Sequence, residues 1–276
     1  MIHLIDRFTD KLKKGKYNNA TIKVYRDAVF MFYNRFRDVP MSQLDEAKVS
    51  DYLNYLKVEK ELNQNSIIQN GKAIKLYFEI ILDKPLDISA TGKKKQDPPY
   101  ILSKEEIAKI INHTKNSKHK LVIQLAYGLG LKLNELISLQ VADIDFEKRL
   151  ATIRGNDNSE DRVLNLGHNL ENELQTFINQ KAVPSDFVFS NTKGLLISPR
   201  GVQIYFSKVV TELNLDSSIT MQNLRHSYAI HLLNKGIDLH HLQKSLGHKY
   251  LQTTALYQCL VDFSIEKLET PIDDLF

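Results

Sequence analysis

A mainly α fold, with a small antiparallel β-sheet in the C-terminal domain, is predicted by three features of this 276-residue sequence. Apolar residues recur at helical spacing through the first 85 or so positions, with no convincing strand alternation. Residues 87–100 read DISATGKKKQDPPY, a composition that builds no packed element and marks a domain boundary. Beyond it, 150–154 and 162–166 alternate around an Asn-Asp-Asn-Ser turn, a hairpin pattern inside an otherwise helical region. The expected organisation is a helical domain over 1–87, a linker over 88–100 and a mixed domain over 101–276.

In the first domain a helix is expected over 2–14, with Ile2, Ile5, Phe8 and Leu12 on one side and lysines on the other. Asn19 or Thr21 is expected to cap the next, whose inward stripe is Val24, Ala28, Met31 and Phe32. A third helix is expected over about 47–57, and a fourth from Asn65 or Ser66 to about Leu82. In the second domain Ser103 and Glu106 form a capping box that opens a helix over about 104–114, followed by another over about 118–128. Short strands are expected at 141–144 and 187–189, and helices at about 170–181 and 198–213.

Composition narrows the classes of function. A hydrophobic content of 42% and a charged content of 25% are those of a soluble globular protein. The lone Cys259 excludes an internal disulfide and a thiolate metal cluster, and no apolar run reaches the length of a membrane span. A cytoplasmic protein with no membrane partner is expected. His226, His231, His240 and His241 lack the i, i+4 pairing of helix-borne zinc sites, so no metal is expected. Gly128-x-Gly130 lacks the context of a nucleotide-binding fold, so no nucleotide or other cofactor is expected either.

The net charge of +4 is unevenly placed: 18 basic against 13 acidic residues lie in 1–100, and 19 against 20 in 101–276. Clustered cations, including Lys23, Arg26 and the run Lys93-Lys94-Lys95, suit a polyanion because each neutralised phosphate releases counterions. A solvated helix face is the plainer reading of the same residues.

The chemistry-bearing stretch runs from Thr220 to Leu260. It sets Arg225 among Leu224, Tyr228, Ile230, Leu232 and Leu233, then places Leu246-Gly247-His248 and, nine positions further, Tyr257. A guanidinium drawn toward a core needs an anionic partner. No acidic residue lies within a helical turn of Arg225, so the partner must come from elsewhere in the chain or be a ligand. Upstream, 128–139 read GLGLKLNELISL.

Together these motifs resemble the tyrosine recombinases, the phage-integrase family that includes the Xer-like resolvases. The resemblance implies a helical core-binding domain followed by an α+β catalytic domain, the two closing around duplex DNA. It also implies a tetramer on that DNA, with the tail beyond Tyr257 docking on a neighbouring protomer. Site-specific recombination or integration would proceed through a 3′-phosphotyrosyl bond made by Tyr257, with Arg225 clamping the phosphate and His248 hydrogen-bonding it. Gly130, Leu131, Glu135, Leu136 and Leu139 match the family's Gly-Leu-Arg-x-x-Glu-Leu-x-x-Leu signature, but Lys132 stands at its arginine. Gln222 stands where a histidine is expected one turn before Arg225, and the hairpin turn at 155–161 carries no lysine. Those three departures leave a second reading, a weakened or inactive DNA-binding protein on the same fold, acting as regulator or partner subunit.

Overall fold

The computed structural model describes residues 2–87, 98–155, 160–181 and 185–261. Lys93, Lys94 and Lys95, the hairpin turn at 156–159 and the tail from 262 lie outside the described residues. The chain divides into two compact units, Met1–Gln96 and Asp97–Phe276.

The first unit holds helices α1 (Ile2–Lys14), α2 (Asn19–Arg35), α3 (Glu46–Val58) and α4 (Gln64–Leu82) among its described residues. Each of the last three begins at a side chain that accepts a backbone N–H of the first turn: Asn18, Asp45 and Asn63. The caps of α2 and α4 therefore sit one or more residues earlier than expected. Asparagines cluster at both starts (Asn18 and Asn19; Asn63 and Asn65), and only the spacing to the acceptor's third residue selects one.

The inward stripe of α2 is also rotated. Ile22, Ala28, Val29, Phe32 and Tyr33 are buried, whereas Val24 is exposed and Met31 is 53% accessible. Both faces of that helix are rich in large apolar residues, so periodicity alone left the choice open. The core is aromatic: Phe32 makes edge-to-face contacts with Tyr33, Phe36, Tyr52 and Phe78, and the buried Tyr33 and Tyr77 hydroxyls bond each other at 3.2 Å.

In the second unit α5 (Lys104–His113) opens with the expected Ser103–Glu106 capping box, and α6 (Ser117–Gly128) follows. Helix α7 (Leu133–Ser138) leads through a 3₁₀ turn at Val141–Asp143 into β1 (Ile144–Asp145), so most of the strand expected at 141–144 is that turn. Asp143 accepts the Gln140 N–H there and receives Arg154, a local polar alternative to strand pairing. Strands β2 (Leu150–Ile153) and β3 (Arg162–Asn165) complete a three-stranded antiparallel sheet in the order β1-β2-β3. The strand expected at 187–189 amounts to a single bridge between Phe187 and Gln140, with Val188 and Phe189 buried in the core.

Helix α8 (Gly167–Asn179) begins earlier than expected, and α9 (Pro199–Glu212) starts behind the Ser198 cap. Three helices close the described chain: α10 (Met221–Leu233), α11 (Leu239–Leu246) and α12 (Leu251–Ala255). Helix α10 is buried on nearly every side, which explains the weak amphipathicity of its sequence. Leu224 and Met221 join the main core. Ala229, Ile230 and Leu233 form a second cluster with Leu242, Leu246 and Tyr257. Ser227 accepts the Leu102 N–H at 2.8 Å and Asn223 donates to the Tyr100 carbonyl at 3.0 Å, so the segment entering α5 is stitched to α10.

Candidate active site

Arg225 is the fifth residue of α10 and is 1% accessible. The anionic partner that its own helix lacks is Glu135 of α7, at 3.8 Å from Nη1. Nη1 donates to the Gly130 carbonyl at 2.6 Å and Nη2 to the Leu246 carbonyl at 2.7 Å. Those bonds engage two of the five guanidinium N–H donors. Arg225 thus ties α10 to the loop before α7 and to the end of α11.

A second guanidinium, not singled out by sequence reasoning, shares the same carboxylate. Arg162, the first residue of β3, makes a two-pronged pair with Glu135, Nη1 and Nη2 each at 2.9 Å. Its Nε donates to the Ser245 carbonyl at 2.7 Å. The last four carbonyls of α11 are thereby all satisfied. Gln243 and Lys244 accept the His248 and Gly247 N–H groups, while Ser245 and Leu246 accept Arg162 and Arg225. Cations at a helix C-terminus also favour its dipole.

Glycines allow this approach. Gly130 has φ +62°, and a Cβ there would meet the Tyr228 ring at 2.4 Å. Gly247 ends α11 at φ +64°, and its Cβ would stand 2.9 Å from Arg162 Nη1. The Leu-Gly-His turn is therefore shaped by the guanidinium beside it.

Burial pushes the Glu135 carboxyl up, but the Arg162 hydrogen bonds and charge, the Lys132 N–H and Arg225 together hold it below the usual carboxylate range. Lys132 caps α7 through its backbone, its N–H donating to Glu135 Oε2 at 2.8 Å. Its ammonium makes no ion pair among the described residues. Desolvation, then the neighbouring Arg225, lowers its pKa, partly offset by Glu135. Lys132 therefore adds a free charge beside the two arginines.

His248 follows the glycine cap and accepts or donates one bond, Nδ1 to Thr254 Oγ1 at 2.9 Å, with Thr254 fully buried. Its Nε2 has no partner among the described residues. Burial first, then Arg225, Lys132 and Arg162, depress its pKa to about 4. The unfolded imidazole therefore takes a proton near its ordinary 6.5 while the folded one stays neutral. Stability is complete above that value and is lost as pH falls toward 4, by on the order of 2–3 kcal/mol. His248→Gln should flatten that acid limb in urea melts recorded between those pH values. His226, also depressed by burial and by Arg225, contributes with the same sign and should remain.

Tyr257 is 6% accessible, its ring stacked near-parallel to His248 with centroids 6.4 Å apart. Its hydroxyl is 2.8 Å from His226 Nδ1, a partner that sequence reasoning weighed only as a possible metal ligand. Burial raises the phenol's pKa, and the Arg225 charge works against that rise.

Gln222 is not brought into this cluster. One turn before Arg225, it is exposed, makes no hydrogen bond among the described residues, and lines a separate hollow of about 580 Å³ with Leu131, Leu133, Arg200 and Gln203. Lys23 and Arg26 lie exposed on α2, in the first unit, Arg26 paired with Asp27 at 2.9 Å. No helix among the described residues is long and apolar enough to cross a membrane, and none of their His, Cys, Asp or Glu side chains group as a metal site.

The chain matches known proteins along nearly its whole length. Residues 101–262 match the phage integrase family, and residues 4–88 the N-terminal SAM-like domain of phage integrases. Tyrosine recombinase XerC of Staphylococcus aureus (strain USA300) is 28% identical over 286 residues, covering 97% of this chain and 95% of that protein. Among solved structures, the Tn1549 transposon integrase in complex with transposon right-end DNA superposes with a TM-score of 0.77 at 18% identity, over 92% of this chain and 94% of that one. XerH recombinase bound to a difH substrate gives 0.73 at 20%, over 92% and 82%. A two-domain helical architecture carrying one small three-stranded sheet thus has close structural counterparts, and the chain belongs to the phage integrase family, the tyrosine recombinases.

Proposed function

We propose that this recombinase cuts and rejoins duplex DNA at specific sites, with Tyr257 as nucleophile. The observation that carries the reading is the convergence of Tyr257, His248 and Arg225, drawn from separate motifs, in one cluster whose excess charge, from Arg225, Arg162 and Lys132 against Glu135, is positive. The phenol oxygen attacks the scissile phosphorus, and the link conserves the bond energy for religation, so no nucleotide or metal is consumed. Uncommitted Arg225 donors and the Lys132 ammonium stabilise charge on the non-bridging oxygens. With Nδ1 of His248 held 2.9 Å from Thr254 Oγ1, the tautomer in which Thr254 donates presents Nε2–H to the phosphate.

The DNA-bound relatives support duplex DNA as partner, with residues 1–87 as the core-binding domain and 101–276 as the catalytic one. Lys23, Arg26 and the lysines of the linker 88–100 would follow the phosphate backbone. A tetramer on DNA is the assembly expected of such exchange, and a cytoplasmic location suits a chromosomal or plasmid substrate.

Lys132 occupies an arginine's place, and lysine keeps the charge but lacks the two-pronged fork. Lys132→Arg should raise the rate of covalent adduct formation by on the order of tenfold or more, read in single-turnover assays. The same departure, with Gln222 outside the cluster, favours the second reading, a DNA-binding partner subunit with little activity of its own. A nicked suicide duplex separates the two. Trapped covalent complex supports the enzyme, and tight, salt-dependent binding without adduct on any duplex supports the binder.

A further inference from the structure

We propose that His226 accepts the phenolic proton of Tyr257, the task that a glutamine at 222 leaves unfilled. The inference rests on the recombinase reading above and names a catalytic residue for it.

The geometry selects His226 by elimination among neighbours. Gln222 has no proton-accepting nitrogen, is exposed and makes no bond to the phenol. The His248 ring lies near-parallel to that of Tyr257 with centroids 6.4 Å apart, makes no hydrogen bond to its hydroxyl among the described residues, and has its Nδ1 engaged by Thr254. Arg225 and Lys132 are cations and accept nothing. Ala229, Ile230, Leu233, Leu242 and Leu246 are the buried apolar residues packed with Tyr257, which leaves little room for water as the acceptor. His226 Nδ1, at 2.8 Å from Oη, is already within proton-transfer distance.

Burial and the adjacent Arg225 charge favour the neutral imidazole, whose Nε2–H tautomer turns the Nδ1 lone pair to a phenol that still holds its proton. A weak base beside a weak acid does not ionise the phenol at rest. Transfer then coincides with attack, which keeps the nucleophile silent until a phosphate enters.

The step balances. The Oη–P bond forms as the P–O5′ bond breaks, and the Oη proton passes to His226 Nδ1. The departing 5′-oxygen carries the bonding pair and takes a proton from water to become a 5′-hydroxyl. In religation the 5′-hydroxyl attacks the phosphotyrosyl link and gives its proton to water, while the protonated His226 returns a proton to the departing Tyr257 Oη.

His226→Asn places an amide oxygen near the Nδ1 position, able to accept the hydrogen bond but not the proton. Adduct formation on the nicked suicide duplex should fall on the order of a hundredfold or more in both His226→Asn and His226→Ala, with duplex affinity unchanged. Added imidazole should restore part of the His226→Ala rate and none of the Asn rate. Wild-type rates in His226→Asn, or loss of duplex binding in both variants, would overturn this role and leave the recombinase reading standing. A wild-type chain that forms no adduct overturns both.

Discussion

Tyr257→Phe should bind duplex DNA as the parent does and form no detectable covalent complex, a loss of more than about 10⁴-fold. The substitution keeps the ring that packs on His248 and on the Leu242 and Leu246 side chains, and removes one oxygen. What it leaves behind is the His226 Nδ1 acceptor without its partner, at a cost of about 1–2 kcal/mol. Urea melts should register that small change while the adduct assay registers total loss. A tyrosine that served only as packing would show the small change alone.

Glu135→Gln should destabilise the second unit by about 3–5 kcal/mol and silence the site with it. One carboxylate is the anionic partner of two enclosed guanidiniums, accepting both prongs of Arg162 and lying 3.8 Å from Arg225. It also accepts the Lys132 N–H that starts α7. An amide of the same shape offers one acceptor oxygen and no charge, so two buried cations are left facing each other. Replacing the whole group by apolar residues would cost less than removing its centre, because the penalty lies in the uncompensated charge. The loss should appear as a lower denaturation midpoint with an unchanged denaturant slope.

Much of this architecture was legible because local chemistry writes it. The Ser103–Glu106 capping box and the hairpin pair β2–β3 are short-range patterns, and they stand where the sequence put them. Arg225, His248 and Tyr257 were legible as motifs. Their partners were not, since Gly130 lies 95 positions from Arg225 and Glu135 belongs to another helix. Arg162 left a signal that went unread. Alternation in β3 puts it on the same face as the buried Leu164, opposite the exposed Val163, so an inward arginine was implied. His226 gave a similar one, at positions i, i+3, i+4 and i+7 with Ala229, Ile230 and Leu233, the stripe that meets Tyr257. Gln222 stands apart for the opposite reason: between the buried Met221 and Asn223 it takes the exposed position of α10, facing the hollow lined by Leu131 and Arg200, which a helix buried on nearly every side does not signal in its sequence.

The central claim, that the Tyr257 oxygen becomes bonded to a DNA strand, is met most directly by trapping the complex on a nicked suicide duplex and locating the link. Proteolysis and mass spectrometry of the trapped species should find a nucleotide on the Tyr257 peptide, joined through a 3′-phosphate, with a free 5′-hydroxyl on the released strand. A nucleotide carried by any other residue, or one joined through a 5′-phosphate, would contradict it.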